Sequence, residues 1–233
     1  MRKFEFTGET KIWFGVTLHR IKAAIEIDHG YRKVKIGELG GWIEKEGNLS
    51  HEGNAWVYGD ARVYGDARVF GDAEVYGDAR VYGDARVYGN ARVSDNAEVY
   101  GDARIYGDTR VYGDAEVYGD ARVYGNAWVY GDARVSGDAR VSGDARVSGD
   151  ARVYGDARVS KTDRYLVVGP VGSRNDFTTF FKTKNNAINV TCGCFRGTID
   201  EFEQKVKETH GDSKHARAYL AAIELARVQI DIS

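Results

Sequence analysis

The chain has 233 residues and a formal net charge of −2. That is enough for one sizeable core or two to three small units, and nothing in the charge balance demands nucleic acid or an anionic membrane. No apolar run is long enough for a transmembrane helix, "MRKFEFTGET" lacks the apolar core of a signal peptide, and two cysteines make no disulfide framework, so the expected location is cytoplasmic.

Residues 1–44 are not repetitive. "KFEFTGET" and "TLHRIKAAIEI" read as strands, and "KIGELGGWIEKEGNLS" leads into a repeat. The segment is expected to be a β cap, with Trp42 and Ile43 plugging the lumen of the repeat.

From Val57 to Arg158 the chain repeats one hexad seventeen times: Val, an aromatic or Ser, Gly, Asp or Asn, Ala, then usually Arg. Two looser hexads, "KEGNLS" and "HEGNAW", extend the tract back to residue 45. Ala and Val two apart, with a charged residue between, is strand alternation and not helix. The Tyr-Gly-Asp after each Val suits a tight corner. Sixteen of the 29 glycines fall in these corners, so they mark geometry and not disorder.

The Ala-x-Val core at hexad spacing resembles the left-handed parallel β-helix of hexapeptide-repeat proteins. That resemblance implies a mainly β fold of about six triangular, left-handed coils of eighteen residues. The stretch "GELGGWIEKEGNLSHEGNAWVYGDA" is similar to the entry segment of bacterial and phage hexapeptide-repeat proteins, often labelled acyltransferase or polymer-forming protein. It implies no assigned activity. The expected organisation is an N-terminal β cap (1–44), a β-helix (45–160) and a small C-terminal α+β domain (161–233).

Folding the repeat at eighteen residues gives three faces. One carries an unbroken column, Arg68, Arg86, Arg104, Arg122, Arg140 and Arg158, the candidate interaction face. The second carries Arg62, Arg80, Glu98, Glu116, Arg134 and Arg152. The third carries Trp56, Glu74, Arg92, Arg110, Trp128 and Arg146. Tyrosines beside arginines could in principle stack on bases. Residues 57–158 nevertheless hold thirteen Arg against fifteen Asp and three Glu, a net of −5 that argues against nucleic acid. Each corner Asp is expected to neutralise the neighbouring Arg.

After Ser160, "KTDR" reads as a polar linker and "YLVVGPVGSRNDFTTFFKTKNNAINVTCGCFRG" as three strands, two of them joined at Asn185-Asn186. Thr198-Ile199-Asp200-Glu201 is a capping box opening a helix that stops at Gly211. Ser213 caps a second helix, with Ala218, Ala222, Ile223 and Leu225 on its apolar side. The Gly-rich "GPVGSRND" turn could present amides to an anion, with Arg174, Asn175, Asp176, Thr178, Lys182 and Arg196 as ligand-binding candidates. Cys192 and Cys194 with His210 and His215 match zinc spacing poorly. Two half-buried structural cysteines fit better.

Acyl transfer in hexapeptide-repeat proteins needs a histidine base, and none of the chain's five histidines lies in the strict hexads. Only His51 could serve. No catalytic residue, metal or cofactor is expected. The leading expectation is a non-enzymatic scaffold, phage-encoded by resemblance and then working in the host cytoplasm. It would form a dimer or trimer and engage an unknown macromolecular partner through the C-terminal domain. The alternatives are a nucleotide-signal binder acting against host defence, and an acyltransferase.

Overall fold

A computed structural model describes residues 2–232. The chain is mainly β: a parallel solenoid of about seven turns, preceded by strands and followed by a four-stranded sheet with two helices. In chain order, β1 (Phe4–Trp13) and β2 (Val16–Ala23) form an antiparallel hairpin, and β3 (Ile27–Asp28) and β4 (Lys33–Val34) a small one. Next comes β5 (Leu39–Ile43). Then β6 to β23, from Trp56–Val57 to Arg158–Val159, give one two-residue strand per hexad.

The hexad builds this directly. Ala and Val point inward and every repeat Ala and Val from Ala61 to Val159 is fully buried. Backbone amides bond from one turn to the next, as Arg86 N–H donates to Ala103 O at 2.9 Å and Tyr88 N–H to Ile105 O at 2.9 Å. The corner glycines take positive φ, and from Gly65 to Gly143 the backbone of the next turn crowds the place of a Cβ. At Gly89 (φ +69°) a Cβ would lie 3.0 Å from Gly107 N. Asp95 holds the same left-handed conformation in place of Gly. The three eighteen-residue columns read from the sequence are the three sheets of the prism, and β1 and β2 extend one of them beyond β5.

The first turn departs from the hexad frame. Ile43 pairs with Val63 and Leu49 bridges to Val69, both in the lumen. In the strict frame Lys45 and His51 would have pointed inward. Two additional residues before Trp56 restore the register, because lysine and histidine cannot be left in a dry lumen. Trp42 is not a lumen plug. It lies outside, opposite Arg62, with the Lys11 ammonium 4.0 Å and the Arg20 guanidinium 5.3 Å from its ring. Gly40 and Gly41 let β5 sit flush there: a Cβ on Gly41 would be 2.6 Å from Val57 Cγ1.

The C-terminal sheet has four strands, not three: β24 (Tyr165–Val171), β25 (Asp176–Lys182), β26 (Ile188–Cys192) and β27 (Phe195–Thr198). Gly193 at φ +56° turns the chain between the two cysteines, so they do not share a strand. Helices α1 (Ile199–His210) and α2 (Lys214–Gln229) start where expected, Thr198 and Glu201 forming the capping box and Ser213 accepting from Ala216 N–H. On α2 the buried residues are Ala216, Tyr219, Ala222, Ile223 and Ala226, whereas Leu225 is exposed.

The sheet is a septum. Alternate residues of β25 face opposite ways: Phe180 packs with the helices, Phe181 with the solenoid core. Thr179 Oγ1 accepts the Arg152 amide at 3.0 Å, and Ala157 bridges to Thr183. The open end of the lumen, with its unpaired backbone, is thereby closed. The "KTDR" segment is no loose linker, since Arg164 is buried and its guanidinium pairs with Asp231 at 3.0 Å.

Candidate functional site: the arginine face

The three faces handle charge differently. On the face of β7, β10, β13, β16, β19 and β22, Glu98 bonds Arg80 at 2.6 Å and the Tyr82 hydroxyl at 2.9 Å. Glu116 pairs with Arg134 at 3.1 Å and accepts from Tyr100 at 3.2 Å. On the Trp56–Arg146 face, Glu74 is buried beneath the Tyr31 hydroxyl and bonds Arg92 at 3.1 Å. Arg110 and Arg146, one turn to either side of Trp128, both lie over its ring, at 4.8 and 4.9 Å.

The Arg68–Arg158 face has no acid or aromatic in its central column. Among the described residues, Arg86, Arg104, Arg122 and Arg140 form no ion pair within 4.0 Å, and neither do Asp84, Asp102, Asp120 and Asp138 beside them. The expected neutralisation of each Arg by its corner Asp therefore fails: among the described residues only Arg62 meets a corner aspartate, Asp78 at 3.5 Å, and this face has no glutamate to stand in. A column of guanidiniums stands next to a column of carboxylates, each repeating once per turn. Only the ends are engaged: Lys45 meets Asp66 at 2.7 Å, and Arg158 donates to the carbonyls of Asp138, Asp156 and Ala157. A cleft of about 650 Å³ lined by Lys45, His51, Asp66, Arg68 and Phe70 opens at the N-terminal end.

Beside the charges, the aromatic rings stack on one another. Tyr64, Tyr82, Tyr100 and Tyr118 form one pile, and Phe70, Tyr88, Tyr106 and Tyr124 another, with centroids 4.7–5.1 Å apart and planes within 7°. Between the end rings of each pile the faces are consumed and only edges look outward, so bases gain no lateral stacking platform along it. Burial, then the Glu98 carboxylate, pushes the Tyr82 phenol well above its ordinary value; burial and Glu116 do the same to Tyr100.

The C-terminal candidates are dispersed. Arg174 lies in a groove of about 460 Å³ with Cys192, Cys194, His210 and Tyr219, its guanidinium 3.7 Å from the Cys194 sulfur. Cys194 is exposed, so only Cys192 is half-buried. Burial and the adjacent Cys192 push Tyr219 up to about 12. Asn175 holds positive φ in the turn, and Asp176 reaches Arg152 at 3.9 Å. Thr178 is buried and donates to the Cys192 sulfur at 3.2 Å. Lys182 ends β25, next to Thr183, which bridges to Ala157 of the solenoid. Arg196 faces the prism, its guanidinium 4.7 Å over the Tyr154 ring. No group of three metal-ligating side chains forms among the described residues.

His51 has no free nitrogen. Its Nδ1 accepts the Lys3 amide at 3.1 Å and its Nε2 lies 2.9 Å from Glu46, with the ring stacked on Phe4. No lone pair remains for a substrate proton. No described helix is long and apolar enough to cross a membrane.

The prism is similar to a known repeat family. The family model described as the YdcK beta solenoid repeat matches residues 61–77, 85–101, 97–113, 115–131, 127–143, 133–149 and 139–153. No curated protein matches the chain.

Proposed function

We propose that this protein is a non-enzymatic β-solenoid scaffold that self-associates through the Arg68–Arg158 face. One observation carries the reading: among the described residues, the central arginines of that face have neither a glutamate nor an aromatic ring as partner, and the aspartates beside them make no ion pair. Like charges one turn apart repel. A second copy can supply the opposite charge to both columns at once.

The geometry selects the arrangement. Along each strand the order across the face is Asp, Arg, aromatic, as in Asp102, Arg104 and Tyr106. A twofold axis parallel to the prism exchanges left and right, so each Arg column meets the partner's Asp column, in register at every turn. A twofold perpendicular to the prism would set Arg against Arg. The dimer is therefore parallel, with both N-terminal caps at one end. Six turns at about 4.8 Å make a face about 25–30 Å long, small for a stable interface. Association then depends on charge register and weakens with salt.

Sedimentation at low and high salt tests this. A salt-sensitive dimer is expected, lost in Arg104→Glu/Arg122→Glu. Adding Asp102→Arg and Asp120→Arg on that background should recover it, because the two columns have simply exchanged signs. A protein that stays monomeric at low salt, or a dimer indifferent to these changes, overturns the reading. The Arg174 groove supports a second reading, anion capture by the C-terminal unit, to be checked by loss of binding in Arg174→Ala.

A further inference from the structure

The aromatic pile that begins at Tyr64 is interrupted. Positions 64, 82, 100, 118 and 154 are tyrosine, and position 136, between the last two, is serine. Tyr118 stacks one face on Tyr100 at 4.9 Å. Its other face looks onto the Ser136 level, where a cavity of about 150 Å³ opens. Tyr118 and Tyr154 line it at the two levels, with Ser136 at its base. Two turns separate them, about 9.5 Å along the prism, which is the spacing that admits one intervening ring.

Not every serine in the repeat makes such an opening. Ser94 interrupts another column, between Tyr76 and Tyr112, but is itself buried. At Ser136 one wall of the opening is formed by Thr191, Gly193 and Arg196 of the C-terminal unit.

The charge at this slot is positive. Arg134, Arg152 and Arg196 all line it. Arg134 is offset by Glu116 at 3.1 Å and Arg152 weakly by Asp176 at 3.9 Å. Among the described residues Arg196 has no ion pair, only the Tyr154 ring. Each guanidinium offers a planar fork of donors suited to a carboxylate or phosphate.

We infer that the slot at Ser136 binds a planar aromatic anion: a single ring that takes the place of the missing tyrosine on the open face of Tyr118, carrying an acidic group to Arg196. Stacking supplies the orientation, and the surplus arginine supplies the charge preference. The site is distinct from the self-association face, so it stands or falls independently of the scaffold reading.

Phenyl phosphate is the probe, with inorganic phosphate and benzyl alcohol as the half-ligands, titrated calorimetrically into the full chain. Saturable one-to-one binding of phenyl phosphate is expected, at least tenfold tighter than either half-ligand. Ser136→Tyr, which completes the pile, should weaken binding at least tenfold without lowering the melting temperature. Arg196→Ala should weaken it by a similar factor while leaving the Tyr64–Tyr118 pile intact. Equal binding of inorganic phosphate would reduce the slot to a cluster of arginines and overturn the inference. Unchanged binding in Ser136→Tyr, or no saturable binding at all, would do the same. Should Ser136→Tyr fail to fold, Tyr118→Leu removes the stacking platform and must cost the same affinity.

Discussion

The prism and the C-terminal unit bury their cores by opposite routes. In the prism one hexad is reused, so a residue's environment follows from its place in the hexad and hardly from its turn number. In the C-terminal unit each residue has its own role: Phe180 and Phe181 are neighbours, yet one belongs to the helices and the other to the solenoid lumen. A repeat thus makes architecture readable and makes its exceptions conspicuous. In a non-repetitive sheet, adjacent residues must be told apart by packing alone.

A charge placed in the lumen tests this contrast most severely. Val117→Asp buries a carboxylate without a partner and should cost about 4 kcal/mol or more, abolishing the cooperative melt. The same change at Val99 should be equally damaging, and a clear difference between the two in chemical denaturation would show that the turns are not equivalent. Phe181→Ala is next, at about 3 kcal/mol. It opens the lumen's C-terminal end, so amide exchange should rise first at residues 151–159 and not throughout the prism.

At the other end, the Lys3 side chain is buried, its ammonium donating to Gly53 O at 3.3 Å, and burial lowers its pKa to about 8. The unfolded chain holds that proton up to its ordinary 10.5, so stability should rise with pH between about 8 and 10. Tyr82 and Tyr100, raised in the fold, act in the other direction, and stability should fall above pH 10 as the unfolded tyrosines ionise first. Lys3→Met should stabilise the protein by about 2 kcal/mol at neutral pH and erase the rise. Denaturant melts from pH 7 to 11 read both limbs.

Smaller effects are expected within the repeat. Thr109 occupies an inward Ala position with its hydroxyl buried and unpartnered, so Thr109→Val should gain about 1 kcal/mol. Arg104→Glu should raise the monomer's melting temperature slightly, because a glutamate there stands between Arg86 and Arg122 and can pair across one turn as Glu98 does with Arg80.

Particular residues show why some of this was legible in the sequence and some was not. Period-two alternation and the eighteen-residue column order could be read because inward Val and outward Arg differ in polarity at every turn. The first turn could not be read that way: Ile43 and Leu49 set its frame, and only the exclusion of Lys45 and His51 from the lumen reveals the two-residue slip. Trp42 has a large apolar ring that suits a plug, but the cations above it are contributed by β1 and β2. The fourth C-terminal strand depended on Gly193 turning the chain, a choice that a Cys-Gly-Cys triplet does not announce. The candidate residues Arg174 and Arg196 are close in space to the "CGC" turn yet end on different sides of the sheet. The slot at Ser136 was present in the sequence as one missing aromatic. It became a cavity only because β26 and β27 wall it on one side.

The three-sided turn also makes the prism a device that counts. Adding eighteen residues would lengthen it by one turn and leave the C-terminal unit facing the same way. Adding six would swing that unit through about 120° and carry every arginine beyond the insertion onto a different face. Length in this protein can be varied freely only in steps of three hexads; any other step is a rotation.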